Sequence, residues 1–314
     1  EEDPEKGANL IGAGKSWREF AGICTSVWAT GNIPQQMCWV VTVLIPKGGG
    51  EYWGIGLLEP IWKVMERVMD LRLERIKLHD SLHGCLAGRG TGTGIIEAKL
   101  AQQLAHLEQR PFFGVFIDLK KAFDAMDRGR CLAILELHGV GPQMLRLIRN
   151  FWETNVCRAK GNYGRPFKAG RGVTQGGPLS EKLFNILIDA VVREWMRLMR
   201  EMLDDSDGHL AARVKELFAI FYVDDGYIAS RDAEFLQEAL EILVETFKRT
   251  GLATNTKKTQ AMVCTPGKIR VQLPTDSYAR LREGVATAGE EARRLVVCHG
   301  CVKTLQARSL RPHL

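Results

Sequence analysis

Phe221-Tyr222-Val223-Asp224-Asp225-Gly226-Tyr227 decides the reading of this chain. An apolar arm, Leu217 to Val223, runs into two acids and a glycine, and a second apolar arm, Tyr227 to Ser230, leaves them. Asp-Gly favours tight hairpin turns and the arms are rich in strand-forming residues, so the stretch is a β-hairpin with acids at its tip. Taken alone, such a tip is an ordinary turn. It gains meaning from Phe116-Ile117-Asp118-Leu119, where another apolar strand, Phe112 to Ile117, also ends in acid. That strand has almost no polar interruption, as expected at the centre of a sheet. A sheet that sets the two strands side by side gathers three carboxylates. Hard oxygen ligands suit Mg²⁺ (or Mn²⁺), and two such ions serve phosphoryl transfer. Asp118 and Asp224 are the expected bridging pair, with Asp225 as the third acid.

Outward from these strands, helices alternate with strands without a regular βαβ repeat, which favours an α+β fold over a doubly wound parallel sheet. Residues 1–36 are Gly-rich and read as irregular. Met37 to Ile45 reads as a buried strand ended by Pro46 and a Gly-rich turn. Pro60 opens a helix to about Leu78, with Ile61, Val64, Val68 and Leu71 expected inward. Gly84 to Gly94 reads as a loop before a helix from Ile95 to about Leu107. Further helices are expected around Cys131–Leu137, after Pro142, from Ser180 to about Leu203 and after Asp232. In the helix from Ser180, the residues Phe184, Leu187, Val191, Trp195, Leu198 and Met202 form the apolar stripe. Residues 266–297 are polar and poorly patterned.

The chain has 314 residues, 45% hydrophobic and 25% charged, enough for two or three subdomains and a sizeable core. A net charge of +6 leans mildly toward a polyanionic partner. The eight cysteines are mostly scattered singly, a pattern of reduced intracellular thiols. The first ten residues are acidic and polar, so no signal peptide is read there, and no apolar run reaches the ~20 residues of a membrane helix. The chain begins at Glu1 and stops soon after His313, which suggests a fragment at both ends.

Four groups of residues stand in order, two of them carrying the acids. Val115 to Asp124 contains the first acid; Gly172-Val173-Thr174-Gln175-Gly176-Gly177-Pro178-Leu179-Ser180 precedes Leu183-Phe184-Asn185; Phe221 to Gly226 follows; Gly251-Leu252, Asn255 and Lys257-Lys258-Thr259 close the series. Upstream lie Leu44-Ile45-Pro46-Lys47 and His83-Gly84 through Gly88-Arg89-Gly90-Thr91. Over residues 40–265 this series resembles the reverse transcriptases of non-LTR retrotransposons. The resemblance implies a right-hand polymerase core with an antiparallel palm sheet backed by helices. Fingers would occupy 37–110, palm 111–265, a thumb or connection remnant 266–297 and a truncated zinc-finger-like tail 298–314, after the remnant at 1–36.

The resemblance also implies roles. Asp118, Asp224 and Asp225 would hold metal, and Lys258 would protonate the leaving pyrophosphate. Phe123 would exclude a 2′-hydroxyl by clash, although by itself it reads equally well as a core residue. Gln175 and Gly176 would line the template–nucleotide pocket, and Lys47 would touch the triphosphate. Partners would be an RNA template, a DNA primer and deoxynucleoside triphosphates, with no membrane and no obligate protein partner evident, in the nucleus or cytoplasm. Two positions depart from the pattern: Trp53 stands where an arginine is normal, and Cys85 where phenylalanine is common, read here as a core change. Tryptophan lacks the planar fork with which arginine grips phosphate. A catalytically weakened nucleic-acid-binding relic is therefore the competing reading.

Cys298-His299-Gly300-Cys301 and His313 resemble the start of a C₂H₂-like zinc site, with Cys298 and Cys301 expected in a turn. Two nucleotide-binding patterns fail. Gly14-Lys15-Ser16 lacks the glycine a P-loop needs five residues earlier, and the alternating glycines from Gly88 to Gly94 miss G-x-G-x-x-G.

Overall fold

A computed structural model describes residues 4–160, 165–203, 208–265 and 296–299. The chain forms two compact units that interleave along the sequence: 1–77 with 126–186, and 78–125 with 187–314. The contiguous fingers and palm spans expected above are thus divided differently, with 78–110 joining the second unit and 126–186 the first.

The first unit begins with helix α1 (Pro4–Thr30). This corrects the irregular reading of 1–36. Each helical glycine costs about 1 kcal/mol against alanine, which hides the helix from a propensity reading. Its C-terminal carbonyls are capped in tertiary contact instead: Gln143 and Arg146 donate to Ala29 O, and Asn150 to Gly31 O at 2.9 Å. Strands β1 (Trp39–Gly48) and β2 (Glu51–Leu58) form an antiparallel hairpin, and β1 continues through Pro46 to a register shift before Gly48. Helix α2 (Pro60–Leu73) starts with Glu59 accepting from Ile61 N. It buries Trp62, Met65, Met69 and Leu73 and leaves Val64, Val68 and Leu71 exposed, so the expected inward stripe is corrected. Trp62 explains the choice, because its ring stacks on Phe151 with centroids 4.2 Å apart.

The second unit contributes α3 (Thr91–Leu107), the strand β3 (Phe112–Asp118) and the short helix α4 (Ala122–Ala125). The chain then returns to the first unit for α5 (Arg128–Leu137), α6 (Pro142–Thr154) and β4 (Val156–Ala159), which adds in parallel to β1. Helix α7 (Ser180–Met202) carries the chain from the first unit into the second. Of its stripe, Phe184, Leu187, Val191, Trp195 and Leu198 are buried as expected, while Met202 is exposed. There follow α8 (Leu210–Glu216), β5 (Phe218–Tyr222), β6 (Asp225–Ser230), α9 (Ala233–Arg249), β7 (Gln260–Thr265) and β8 (Val296–His299). Asp232 caps α9 by accepting from Glu234 N and Phe235 N.

The second sheet has the order β5-β6-β3-β7-β8. Its pairs are antiparallel except the parallel β7–β8. The apolar β3 lies at its centre, as its unbroken hydrophobic run requires. Helices α3 and α9 pack on its strands, and Trp195 of α7 donates to Ala239 O of α9 at 2.7 Å. No helix among the described residues is long and apolar enough to cross a membrane.

Candidate active site

The two acid-tipped strands are neighbours. Asp118, the last residue of β3, pairs in register with Asp225, the first of β6. Residues directly opposite across an antiparallel ladder project to one face, so both side chains leave the sheet on the same side. Asp224 adjoins them in the turn between β5 and β6. The ladder thus pairs Asp118 with Asp225, while the expectation that Asp118 and Asp224 share ions concerns their carboxylates and not the register.

Charge is crowded here. The Asp225 carboxyl is pushed up to about 6, first by burial, then by repulsion from Asp224 and Asp118, with Lys258 pulling the other way. Asp225 still presents an exposed surface, so its desolvation is partial. Among the described residues no three His, Cys, Asp or Glu side chains close on one point as a ready-made cage.

The hairpin tip is strained. Val223 has φ 57, and a β-branched residue in the left-handed region is a true outlier. Such strain costs of order 1–3 kcal/mol and persists only where neighbours over-determine it. The neighbour is the segment 81–84. Phe221 N donates to Ser81 O (2.7 Å), His83 N donates to Phe221 O (2.8 Å), and Leu82 bridges Phe221 in parallel. Gly84 then lies so close that a Cβ there would sit 2.6 Å from Val223 N. The base of this segment is anchored by Asp189, a fully buried acid of α7 that accepts from His79 N at 2.6 Å and pairs with Arg193. His83-Gly84, expected in the fingers, therefore buttresses the acid hairpin in the second unit. Cys85 is exposed with φ 51, not the core residue expected.

Lys258 is exposed, with Nζ 4.0 Å from Asp118 Oδ1. Phe123 is half-buried in α4, a few residues beyond Asp118. Sequence reasoning missed the part played by Asn255, whose Nδ2 donates to Asp118 Oδ2 at 2.7 Å.

In the first unit, Gln175 and Gly176 lie in the turn before α7. Gln175 O accepts from Gly56 N at 2.7 Å, and Gly176, with φ +98, packs where a Cβ would meet Gly56 O at 3.1 Å. The missing side chain at 176 thus serves packing on β2 as well as a left-handed turn. Pro178 and Leu179 follow, and Leu179 N donates to the buried Glu66 at 3.3 Å. Lys47 and Trp53 sit near the exposed tip of the β1–β2 hairpin, with the lysine 4.5 Å over the indole ring.

The zinc-like group falls largely out of view: Cys301 and His313 lie outside the described residues. Cys298 lies in β8, in register with Cys264, so it occupies a strand where a turn was expected.

A mixed-helix fold whose central antiparallel sheet ends in paired acids defines a right-hand nucleic-acid polymerase. Solved telomerases share the fold. The apo Candida tropicalis enzyme truncated from its C-terminal domain superposes with TM-score 0.53 at 15% identity, over 82% of this chain and 56% of that one. The C. tropicalis telomerase in complex with a fragment of telomeric RNA gives 0.54 at 16%, over 79% and 44%. Residues 45–294 match the reverse transcriptase (RNA-dependent DNA polymerase) family, and the chain belongs to it. Among curated relatives, the transposon TX1 149 kDa protein of Xenopus laevis is 25% identical over 236 residues, covering 71% of this chain and 17% of that protein. The Pol polyprotein of the type-1 retrotransposable element R2 of Nasonia vitripennis is 25% identical over 259 residues, covering 77% and 24%. The chain thus spans about a quarter or less of the length of these two relatives.

Proposed function

We propose that this chain is the polymerase module of a non-LTR retrotransposon and carries out reverse transcription. The reaction is template-directed addition of deoxynucleotides to the 3′-hydroxyl of a DNA primer on an RNA template, with pyrophosphate released. The observation that supports it most is Asp118 set opposite Asp225 at the strand ends, with Asp224 adjoining. Burial raises the Asp225 carboxyl first and the nearby Asp224 and Asp118 raise it further, and acids gathered in this way favour a cation among them. The donor chemistry fits Mg²⁺, which takes one or two carboxylates and completes its shell with phosphates and water, not with a closed protein cage. When bound, two Mg²⁺ (or Mn²⁺) ions supply activation of the primer hydroxyl and neutralisation of the leaving pyrophosphate.

The chain's own groups then have distinct tasks in this reading. Asp118 and Asp225 present carboxylates from opposing strands, and Asp224 adds a third. Exposed Lys258 supplies a proton to the departing pyrophosphate. Phe123 excludes a 2′-hydroxyl. Lys47, Gln175 and Gly176 keep the substrate contacts that the family resemblance implies. The second unit serves as palm and the β1–β2 hairpin as fingers. Work of this kind is done inside the cell, in the nucleus or cytoplasm.

A second reading, a nucleic-acid-binding relic with weakened catalysis, draws on one observation. Trp53 replaces the usual arginine, and Lys47 lies over its ring. Primer extension on RNA and DNA templates, with Mg²⁺ and with chelator, separates the two. The polymerase reading expects DNA product on RNA that vanishes with chelator. It also expects Asp224→Asn to abolish product while template binding persists. Template binding without extension under any condition supports the relic.

A further inference from the structure

Asp118 is held by more than its own strand. The turn after α9 runs back along the end of β3. Lys120 N donates to Ala253 O at 2.8 Å, Leu119 bridges Thr254, and Asn255 N donates to Asp118 O at 2.7 Å. Asn255 then grips the same residue a second time, through Nδ2 to Oδ2 at 2.7 Å. Its own carbonyl accepts from Lys258 N (3.0 Å), Thr259 N (2.9 Å) and Thr259 Oγ1 (3.0 Å). Backbone bonds on both sides therefore fix where this amide stands, whatever its side chain does.

The chemistry of the donor matters. A carboxylate oxygen that accepts from a neutral amide is oriented but keeps its charge. An arginine or lysine at the same distance would orient it too, yet would compete with any cation for it. Lys258 stands 4.0 Å from the other oxygen, Oδ1, on an exposed side chain, a long ion pair that water screens.

We infer that Asn255 is a positioning residue for the metal site, fixing the Asp118 carboxylate with Oδ2 engaged and Oδ1 left as the oxygen a divalent cation takes. The inference rests on the two-metal reading proposed above. Partners of this kind, one step removed from the ion, typically change metal affinity by 10–100-fold when removed.

Mn²⁺ binding, followed by loss of the free-ion paramagnetic resonance signal, tests this on the whole chain without needing turnover. Asn255→Ala keeps the backbone bonds at 255 and is expected to fold. Its Mn²⁺ affinity should fall about tenfold or more. The Mg²⁺ concentration that half-saturates extension should rise by the same factor. Nucleotide KM at saturating Mg²⁺ and primer–template affinity should hold. Asn255→Leu, which keeps the branched outline of asparagine but is bulkier and has no donor, should behave alike and covers the case in which alanine fails to fold. A folded variant with wild-type Mn²⁺ affinity overturns the inference and leaves the proposed function standing. Loss of fold in both variants makes Asn255 a structural residue and overturns it too. A wild-type chain that binds no Mn²⁺ overturns both the two-metal reading and this inference.

Discussion

The end of the β3–β6 ladder and the end of the β1–β2 hairpin are both strand tips that carry candidate substrate-handling residues, yet they are built differently. At the first, the backbone that carries the acids is braced by neighbouring segments. Asp118 is stitched to the turn at 253–255, and the Val223 tip is wedged by Gly84. At the second, Leu44, Ile45, Tyr52 and Trp53 are all exposed, and Lys47 lies over the Trp53 ring. Chemistry on reacting atoms tolerates little error in position, whereas a tip that holds a substrate gains from yielding to it. The contrast teaches where this chain can change. Of its two departures from the family pattern, Trp53 falls on the exposed tip and Cys85 is an exposed residue just after the Gly84 wedge; neither is one of the acids themselves.

The hardest blow to that contrast comes from loosening the rigid end. Gly84→Ala sets a Cβ 2.6 Å from Val223 N and 3.2 Å from the Tyr222 carbonyl carbon, both backbone atoms that cannot swing aside. The acid hairpin has to shift. A displacement near 1 Å at a reacting centre costs on the order of 100-fold. Extension should therefore fall about that far while template binding holds, as measured by single-turnover assay and by filter binding. An unchanged rate means the segment at 81–84 does not set the position of Asp224 and Asp225.

Trp53→Arg probes the yielding end and should gain activity. A charge-assisted phosphate contact is worth on the order of 1.5–3 kcal/mol, so nucleotide KM should fall roughly ten- to hundredfold. Primer–template affinity should stay nearly constant. The substitution also frees Lys47 from the ring it now covers. If KM does not move, position 53 has no part in triphosphate binding, and the reading of the fingers fails while the acids stand.

The same contrast governs what was legible in sequence. The acids could be read because each ends an unbroken apolar strand, and one-dimensional pattern records that directly. Their register could not be read: only the folded ladder shows Asp118 opposite Asp225, with Asp224 in the turn beside them. Helix α2 carries two apolar stripes, one through Val64, Val68 and Leu71 and one through Trp62, Met65, Met69 and Leu73. Both fit a 3.6-residue period, and only the Trp62–Phe151 stack in three dimensions chooses between them. Helix α1 was hidden by glycines whose cost is offset by caps from α6. Asn255 stood in a motif, but its partner lies 137 residues away, and no local signal reveals a hydrogen bond over that span.

The exposure of the β1–β2 tip ends at its base, where Glu66 offers the gentlest test. Glu66 lies almost fully buried in α2, accepting from Trp62 Nε1 at 2.9 Å and from Leu179 N at 3.3 Å. Gly177 presses on it so closely that a Cβ there would sit 2.8 Å from Oε2. Burial pushes its carboxyl from 4.5 up to about 7, against the two hydrogen bonds and Lys63, which pull down. The folded state therefore holds this proton where the unfolded state has already lost it. The stability it lends is full below pH 4.5 and is lost as pH rises through about 7. At most about 3 kcal/mol is involved, at 1.36 kcal/mol per unit. Glu66→Gln cannot ionise, so its stability should lose that slope between pH 4.5 and 7, leaving other groups to shape the remainder. Gln also offers one acceptor oxygen where two donors arrive, so the variant should be less stable than wild type at pH 5 and should draw level or pass it by pH 8. Urea unfolding at both values measures the difference. Parallel curves for the two proteins would mean that Glu66 is ionised throughout, and that the base beneath the exposed tip is wetter than its packing indicates.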